Sequence, residues 1–227
     1  MNIGNKMTWL ISVLLVVFVT GCAGMGPRVV ANTTAFYLEE YSPNGTITVL
    51  SSDGEKEGSP EFNFYKAKVE EKLRAQGYTI EPNGPDADHI AFVGYGIDDG
   101  TTKTGSYSTW GQTGGGTTTY SSGTVYSSGG GSATYDGTST TAPTYGVTGS
   151  KSYSYTQFKR VIELTILDQE LLAQGKEQIV YQSKTMSEGS CNVIGEVFDE
   201  MLEAMFTDFS TKNGQNRKLE VPGIFNC

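Results

Sequence analysis

The chain has 227 residues, with 25 acidic and 16 basic side chains, a single histidine and a formal charge of −9. An acidic surface repels phosphate backbones, so nucleic acid is excluded as an ordinary partner. The length suits one domain, or one domain with a large excursion, and the 37% hydrophobic content is low for a globular chain.

The first residues carry one positive charge, Lys6, and then an uncharged apolar run from Trp9 to Val19. That run is too short to span a bilayer, which takes ~20 residues. It has the size of a signal-peptide core behind a basic head. It ends in Val19-Thr20-Gly21-Cys22, which resembles the lipobox of bacterial lipoproteins. The resemblance implies that residues 1–21 are a signal peptide, that the Cys22 thiol receives a diacylglycerol, and that acyl chains such as palmitate hold the mature chain to a membrane. Several chains on one cysteine make a durable anchor, at ~0.8 kcal/mol per buried methylene. Ala23, rather than Asp, after the cysteine implies the outer membrane, facing the periplasm or the surface. Removing residues 1–21, whose only charge is Lys6, moves the formal charge from −9 to −10.

Residues 22–33 read as a lipidated tether, and 34–227 as a single domain. Thr34–Tyr41 and Thr46–Ser51 have strand composition, and Ser42-Pro43-Asn44-Gly45 between them is a hairpin signal. Ser59-Pro60-Glu61 opens a helix with a capping hydroxyl, a proline suited to the first position and an acid at the positive dipole end. Phe62, Tyr65, Val69 and Leu73 form its apolar stripe, and Gly77 ends it. A short strand at Tyr78–Glu81 and a turn at Asn83–Asp86 lead to the clearest central strand, His89–Ile97.

Residues 100–157 are a different material. Gly, Ser, Thr and Tyr dominate, only Lys103, Asp136 and Lys151 are charged, and Leu, Ile, Met and Phe are absent. Thr109-Trp110-Gly111-Gln112-Thr113-Gly114 matches Thr144-Tyr145-Gly146-Val147-Thr148-Gly149 as T-aromatic-G-x-T-G. Folding one copy against the other puts the reversal in Gly129-Gly130-Gly131, where it is cheapest. Extended outward, the same pairing sets Ile97 against Val161 and Val93 against Thr165. The insert is then a hairpin arm growing from two core strands. The alternative is a disordered loop, because the segment holds too little apolar area to offset its ordering entropy. Tyr107, Trp110, Tyr120, Tyr126, Tyr135 and Tyr145 are its candidate partner contacts, since aromatics among Ser, Thr and Gly suit adaptable binding; the same composition also suits a passive spacer.

Phe158–Leu167 alternates as a strand, a turn follows at Asp168–Lys176, and Gln178–Met186 is another strand. Asn192–Phe209 carries a long apolar stripe from Val193 to Phe209, with Glu196, Asp199, Glu200 and Glu203 facing out. From Ser210 the tail is polar as far as Val221. Two helices that each own one apolar stripe need a sheet to cover. The expected fold is α+β: an antiparallel sheet with two helices on one face, interrupted by the insert.

With Cys22 acylated, Cys191 and Cys227 remain in a compartment where disulfides persist, and they are expected to pair; the alternative is two free thiols. Leu73–Tyr78 (LRAQGY), Pro85–Phe92 (PDADHIAF), Tyr145–Gly149 (YGVTG) and Ile162–Asp168 (IELTILD) together resemble a group of small bacterial lipoproteins whose shared domain has no assigned function. The resemblance implies envelope location and an α+β domain, and carries no catalytic residue or substrate.

No nucleophile elbow, zinc-protease helix or dinucleotide fingerprint occurs. The acids at Asp86, Asp88 and Asp98, Asp99 stand at opposite ends of one strand and form no metal site. The chain is therefore expected to be a non-enzymatic, lipid-anchored envelope protein with a structural or partner-binding role, without metal or cofactor. Its partners would be the membrane, through the lipid, and an envelope protein or glycan. One alternative is a module binding glycan, peptidoglycan or a small ligand. Another is a hydrolase using Cys191 and His89.

Overall fold

The computed structural model describes residues 26–82, 84–223 and 227. The leader over 1–21 and the acylated Cys22 lie outside the described residues. In chain order the elements are β1 (Arg28–Tyr37), β2 (Thr46–Ser51), α1 (Pro60–Gln76), β3 (Thr79–Ile80), β4 (His89–Ile97), β5 (Thr101–Gly114), β6 (Thr118–Tyr126) and β7 (Ser132–Thr140). They continue with β8 (Thr144–Asp168), α2 (Gln169–Ala173), β9 (Ile179–Gly189), α3 (Phe198–Phe206) and β10 (Asn216–Pro222). The chain divides into two compact units, one running up to Thr101 and resuming over Gln157–Cys227, the other Thr102–Thr156.

The first unit is a sheet in the order β10-β1-β9-β8-β4-β2-β3. It is mixed rather than antiparallel, because β2 runs parallel to both β3 and β4. The cause is α1, which carries the chain back between β2 and β3 so that both run the same way. The helix forms as its sequence dictates. The Ser59 side chain accepts from Phe62 N–H, Pro60 takes the first turn, and Gly77 closes the helix at φ 115°. Gly77 has a second reason to be glycine, since a Cβ there would lie 2.8 Å from the Pro43 carbonyl oxygen.

Strand alternation decides which side is covered. Ile47, Val49, Ala91, Val93, Ile162, Leu164, Ile166 and Tyr181 turn inward with the stripes of α1 and α3 to form one core. The α1 helix packs on β2 and β3, while α3 packs on β9, β1 and β10. The helices also touch each other. Tyr65 stacks on Phe198 with ring centroids 4.1 Å apart, and Lys68 pairs with Asp199 at 2.6 Å. Lys72 pairs with Glu203, so these two acids of the outward-facing set bridge to the neighbouring helix.

Several expectations are corrected. Ser42–Gly45 does not make a hairpin of β1 and β2. β1 pairs with β9 and β10, and β2 with β3 and β4. Gly45 (φ +84°) hands the chain to β2, whose first residue is fixed by Asp88: the carboxylate takes both the N–H and the hydroxyl of Thr46, at 2.7 and 2.8 Å. The tether boundary at residue 33 falls inside β1, which begins at Arg28 opposite Pro222. The polar tail from Ser210 contains β10, with Arg217 buried on its inner side. The last helix is shorter than Asn192–Phe209. A 3₁₀ turn over Ile194–Glu196 and a break at Val197 (φ −129°) precede α3, and the helix ends at Thr207. Asp168–Lys176 contains the short helix α2, capped by the Asp168 side chain on Leu171 N–H.

The core register differs by one residue from the sequence expectation. Ile97 faces Arg160 rather than Val161, and Val93 faces Leu164 rather than Thr165. The strand pairing changes character where β4 ends. Residues 98–100 leave the strand pattern, Gly100 takes φ +78°, and the Asp98 carboxylate accepts from Gly100 and Lys159 N–H at 3.1 and 2.8 Å.

In the second unit β6 pairs with β7 and β5 with β8. The β6–β7 register runs from Thr118↔Thr140 to Tyr126↔Ser132. Its turn is closed by Ser127 N–H to the Gly131 carbonyl at 2.7 Å, with Gly130 at φ +87°.

Candidate functional site

The second unit holds all six predicted contact residues. Tyr107 and Trp110 lie on β5, Tyr120 and Tyr126 on β6, Tyr135 on β7 and Tyr145 on β8. With Tyr153 and Tyr155 they are between 48% and 80% exposed. Among residues 102–156 none is buried, and the only half-buried positions are six glycines and Thr109. Where a globular domain has a core, this unit has bare backbone.

The glycines are covered from across the strand. The Tyr135 ring lies over Gly123, where a Cβ would sit 2.8 Å from Cε1, and the Tyr153 ring lies over Gly105 in the same way, at 2.5 Å. An aromatic laid on a facing glycine repairs a gap in a ribbon that would otherwise pair poorly. Thr118 and Thr140 hydroxyls meet at 3.3 Å across the β6–β7 pair. Tyr107, Tyr153 and Tyr155 form a ladder, with centroids 6.4 and 6.3 Å apart in succession. At the turn before β6, Gly115 must be glycine, since φ is +69° and a Cβ would collide with the Ala142 carbonyl oxygen at 2.0 Å. The result is a nearly uncharged hydrogen-bonded surface that presents flat rings and hydroxyls to solvent.

On the sheet face of the first unit opposite the helices, Phe36 and Met186 are exposed among the described residues. Asn32, Met186, Val161 and Gly96 form one cross-strand row over four strands. The absent side chain at Gly96 leaves a trough of about 440 Å³ beside Ile97. Met186 is 47% exposed there. The Lys184–Glu163 pair, at 2.7 Å, stands on the neighbouring row. Sequence reasoning did not single out this face, although Gly94 and Gly96 on one side of the strand were a signal that side chains were missing from it.

A second cavity of about 320 Å³ takes in Tyr41, His89 and Asp168. His89 stands edge-on to Tyr78, with ring centroids 5.7 Å apart, and Tyr78 and Tyr41 share a hydrogen bond of 2.7 Å. Burial pushes Tyr78 up to about 12 and raises Tyr41 as well, so both phenols stay neutral at physiological pH. This cavity does not contain Cys191. Gly189, two residues before Cys191, faces Phe158, whereas His89 faces Asp168. At ~3.3 Å per residue those ends of β8 lie about 30 Å apart. Cys191 is bonded to Cys227 as well (S–S 2.01 Å), so the pair invoked for hydrolysis is not assembled. Among the described residues no group of three or more His, Cys, Asp or Glu is placed to hold a metal, and no helix is long and apolar enough to cross a membrane.

The chain is similar to a solved structure of a PDZ domain protein from Parabacteroides distasonis ATCC 8503, at 10% identity and a TM-score of 0.45. The similarity covers 91% of this chain and 42% of that one, so the chain spans less than half that protein's length. No protein-family model and no curated protein matches the chain.

Proposed function

We propose that this is a lipid-anchored envelope protein, non-catalytic, whose second unit is a contact surface for another envelope component. One observation carries the reading: eight aromatic side chains stand 48–80% exposed on a unit with no buried residue. Large exposed rings on a self-paired backbone offer broad contact at small conformational cost. The anchor rests on Val19-Thr20-Gly21-Cys22, and the outer-membrane address on Ala23.

The test is photo-crosslinking in intact cells, with a crosslinking residue at position 110 or 120, alongside binding of the purified chain to peptidoglycan sacculi. A discrete crosslinked protein supports a protein partner. Retention by sacculi that is lost when Tyr107, Trp110 and Tyr120 are changed to Ser supports a glycan partner. The absence of both a crosslink and retention overturns the reading. Mass spectrometry of the native protein checks the anchor separately, and an unmodified Cys22 removes it.

A second reading is favoured by the trough beside Met186. An open, partly apolar sheet face suits a small or extended ligand lying across the strands. Binding that survives removal of residues 103–155 and is lost on Met186→Lys would assign the activity there instead.

A further inference from the structure

The inner face of β8 carries Arg160, Ile162, Leu164 and Ile166 in alternation, and all four are buried. Arg160 is 4% exposed. Its Nη2 donates to the Ser187 hydroxyl at 3.3 Å, and its Nε has no acceptor. Among the described residues no carboxylate lies within ion-pair distance of it. Burying an unpaired charge is costly, and an arginine cannot escape that cost by losing its proton near neutral pH. Burial alone pushes its pKa down, with no neighbouring charge opposing the shift.

The guanidinium borders a cavity of about 250 Å³ that also takes in Arg28, Ser187, Ser190 and the Cys191–Cys227 bridge. Gly189 forms part of the wall, and a Cβ there would lie 2.6 Å from Arg160 Nη2, so bare backbone is what seats the guanidinium. Glu188 is the acid on this wall, and its Oε2 takes the Gln157 amide at 2.9 Å. Arg28 stands 3.7 Å from Glu220.

We infer that this cavity is a binding site for a small oxyanion, a carboxylate or phosphate group, held by the Arg160 guanidinium with Ser187 and Ser190 beside it. The planar fork of a guanidinium matches two oxygens of such a group. A bound anion supplies the charge that the protein around Arg160 does not. The residues lining the cavity all belong to the first unit.

The disulfide-intact chain is titrated with inorganic phosphate, with acetate, and with a dipeptide bearing a free or an amidated C-terminus, against chloride at equal ionic strength. Thermal midpoint and calorimetry are read together. The expected result is a midpoint raised by at least one of these anions and calorimetric binding weakened more than tenfold in Arg160→Met. Without anion, Arg160→Met is expected to melt higher than the parent, because an apolar side chain removes the unpaired charge. Phosphate alone acting points to a phosphate source; acetate and the free but not the amidated dipeptide acting point to a peptide carboxylate. Gly189→Ala and Ser187→Ala serve if Arg160→Met does not fold, and both should weaken binding. The inference is overturned if no anion acts beyond chloride, if the variants respond as the parent does, or if Arg160→Met melts lower than the parent without anion.

Discussion

The two units use the same backbone geometry for opposite ends. In the first, alternation along each strand buries one face under two helices, and the side chains on that face are large and aliphatic or aromatic. In the second, strands as regular as these have no covered face, and the least exposed positions are six glycines and Thr109. Stability in the first unit comes from area removed from water. In the second it rests on main-chain hydrogen bonds, on rings laid over facing glycines and on turns that only glycine can make. A hydrogen-bonded ladder therefore says little about where a chain stores its stability, and the burial of its side chains says much more.

That contrast is open to attack by mutation. Phe198→Ala empties the centre of the first unit, where the ring stacks on Tyr65, and should cost about 3–5 kcal/mol in urea unfolding. Opening the Cys191–Cys227 bridge, which spans 36 residues of sequence, should cost about 3–4 kcal/mol in the chain-entropy account. The loss should appear as a lower denaturation midpoint after reduction. Asp88→Ala releases the two Thr46 donors at the start of β2 and should cost about 1 kcal/mol.

The pH dependence of that tie has a definite sign. Hydrogen bonds from the Thr46 main chain and side chain hold the Asp88 carboxyl below its usual value. Its contribution is present above the ordinary carboxylate pKa and is lost as pH falls through the depressed one. Asp88 faces water, so the effect is small, and an acid titration of parent against Asp88→Asn should resolve it. Smallest of all, Tyr120→Ser with Tyr126→Ser should change the unfolding free energy of the first unit by less than about 0.5 kcal/mol. A loss comparable to that of Phe198→Ala would mean that the two units do not store stability separately.

What could be read in advance follows the range of the interactions involved. The α1 helix was legible to its ends, because Ser59, Pro60 and Gly77 act on neighbours within one turn. The strand at His89–Ile97 was equally plain from its own composition. The hairpin expected at Ser42–Gly45 does not form, because turn residues announce that a chain bends and not which strand it will lie beside; the start of β2 is instead tied to Asp88, more than 40 residues away. β10 escaped notice because it is short and mostly polar, yet Arg217, Leu219 and Val221 alternate with Lys218 and Glu220. The core register lies one residue from the one obtained by extending the repeat pairing inward through Asp98–Gly100, where the chain leaves the strand pattern. Arg160 was visible in the alternation of β8, but its surroundings of Ser187, Gly189 and the bridge, with no carboxylate among them, are brought together only by folding.

The placement of β1 between β9 and β10 has a mechanical consequence. Its hydrogen bonds to both neighbours lie across the strand direction. Tension arriving through the residues ahead of Arg28 would run along β1 and load both rows of bonds in parallel. Such a strand slides only when many bonds fail together, whereas a strand peeled from one end gives way a pair at a time. A molecule tugged from its N-terminal side would hold its fold longest when pulled along that axis.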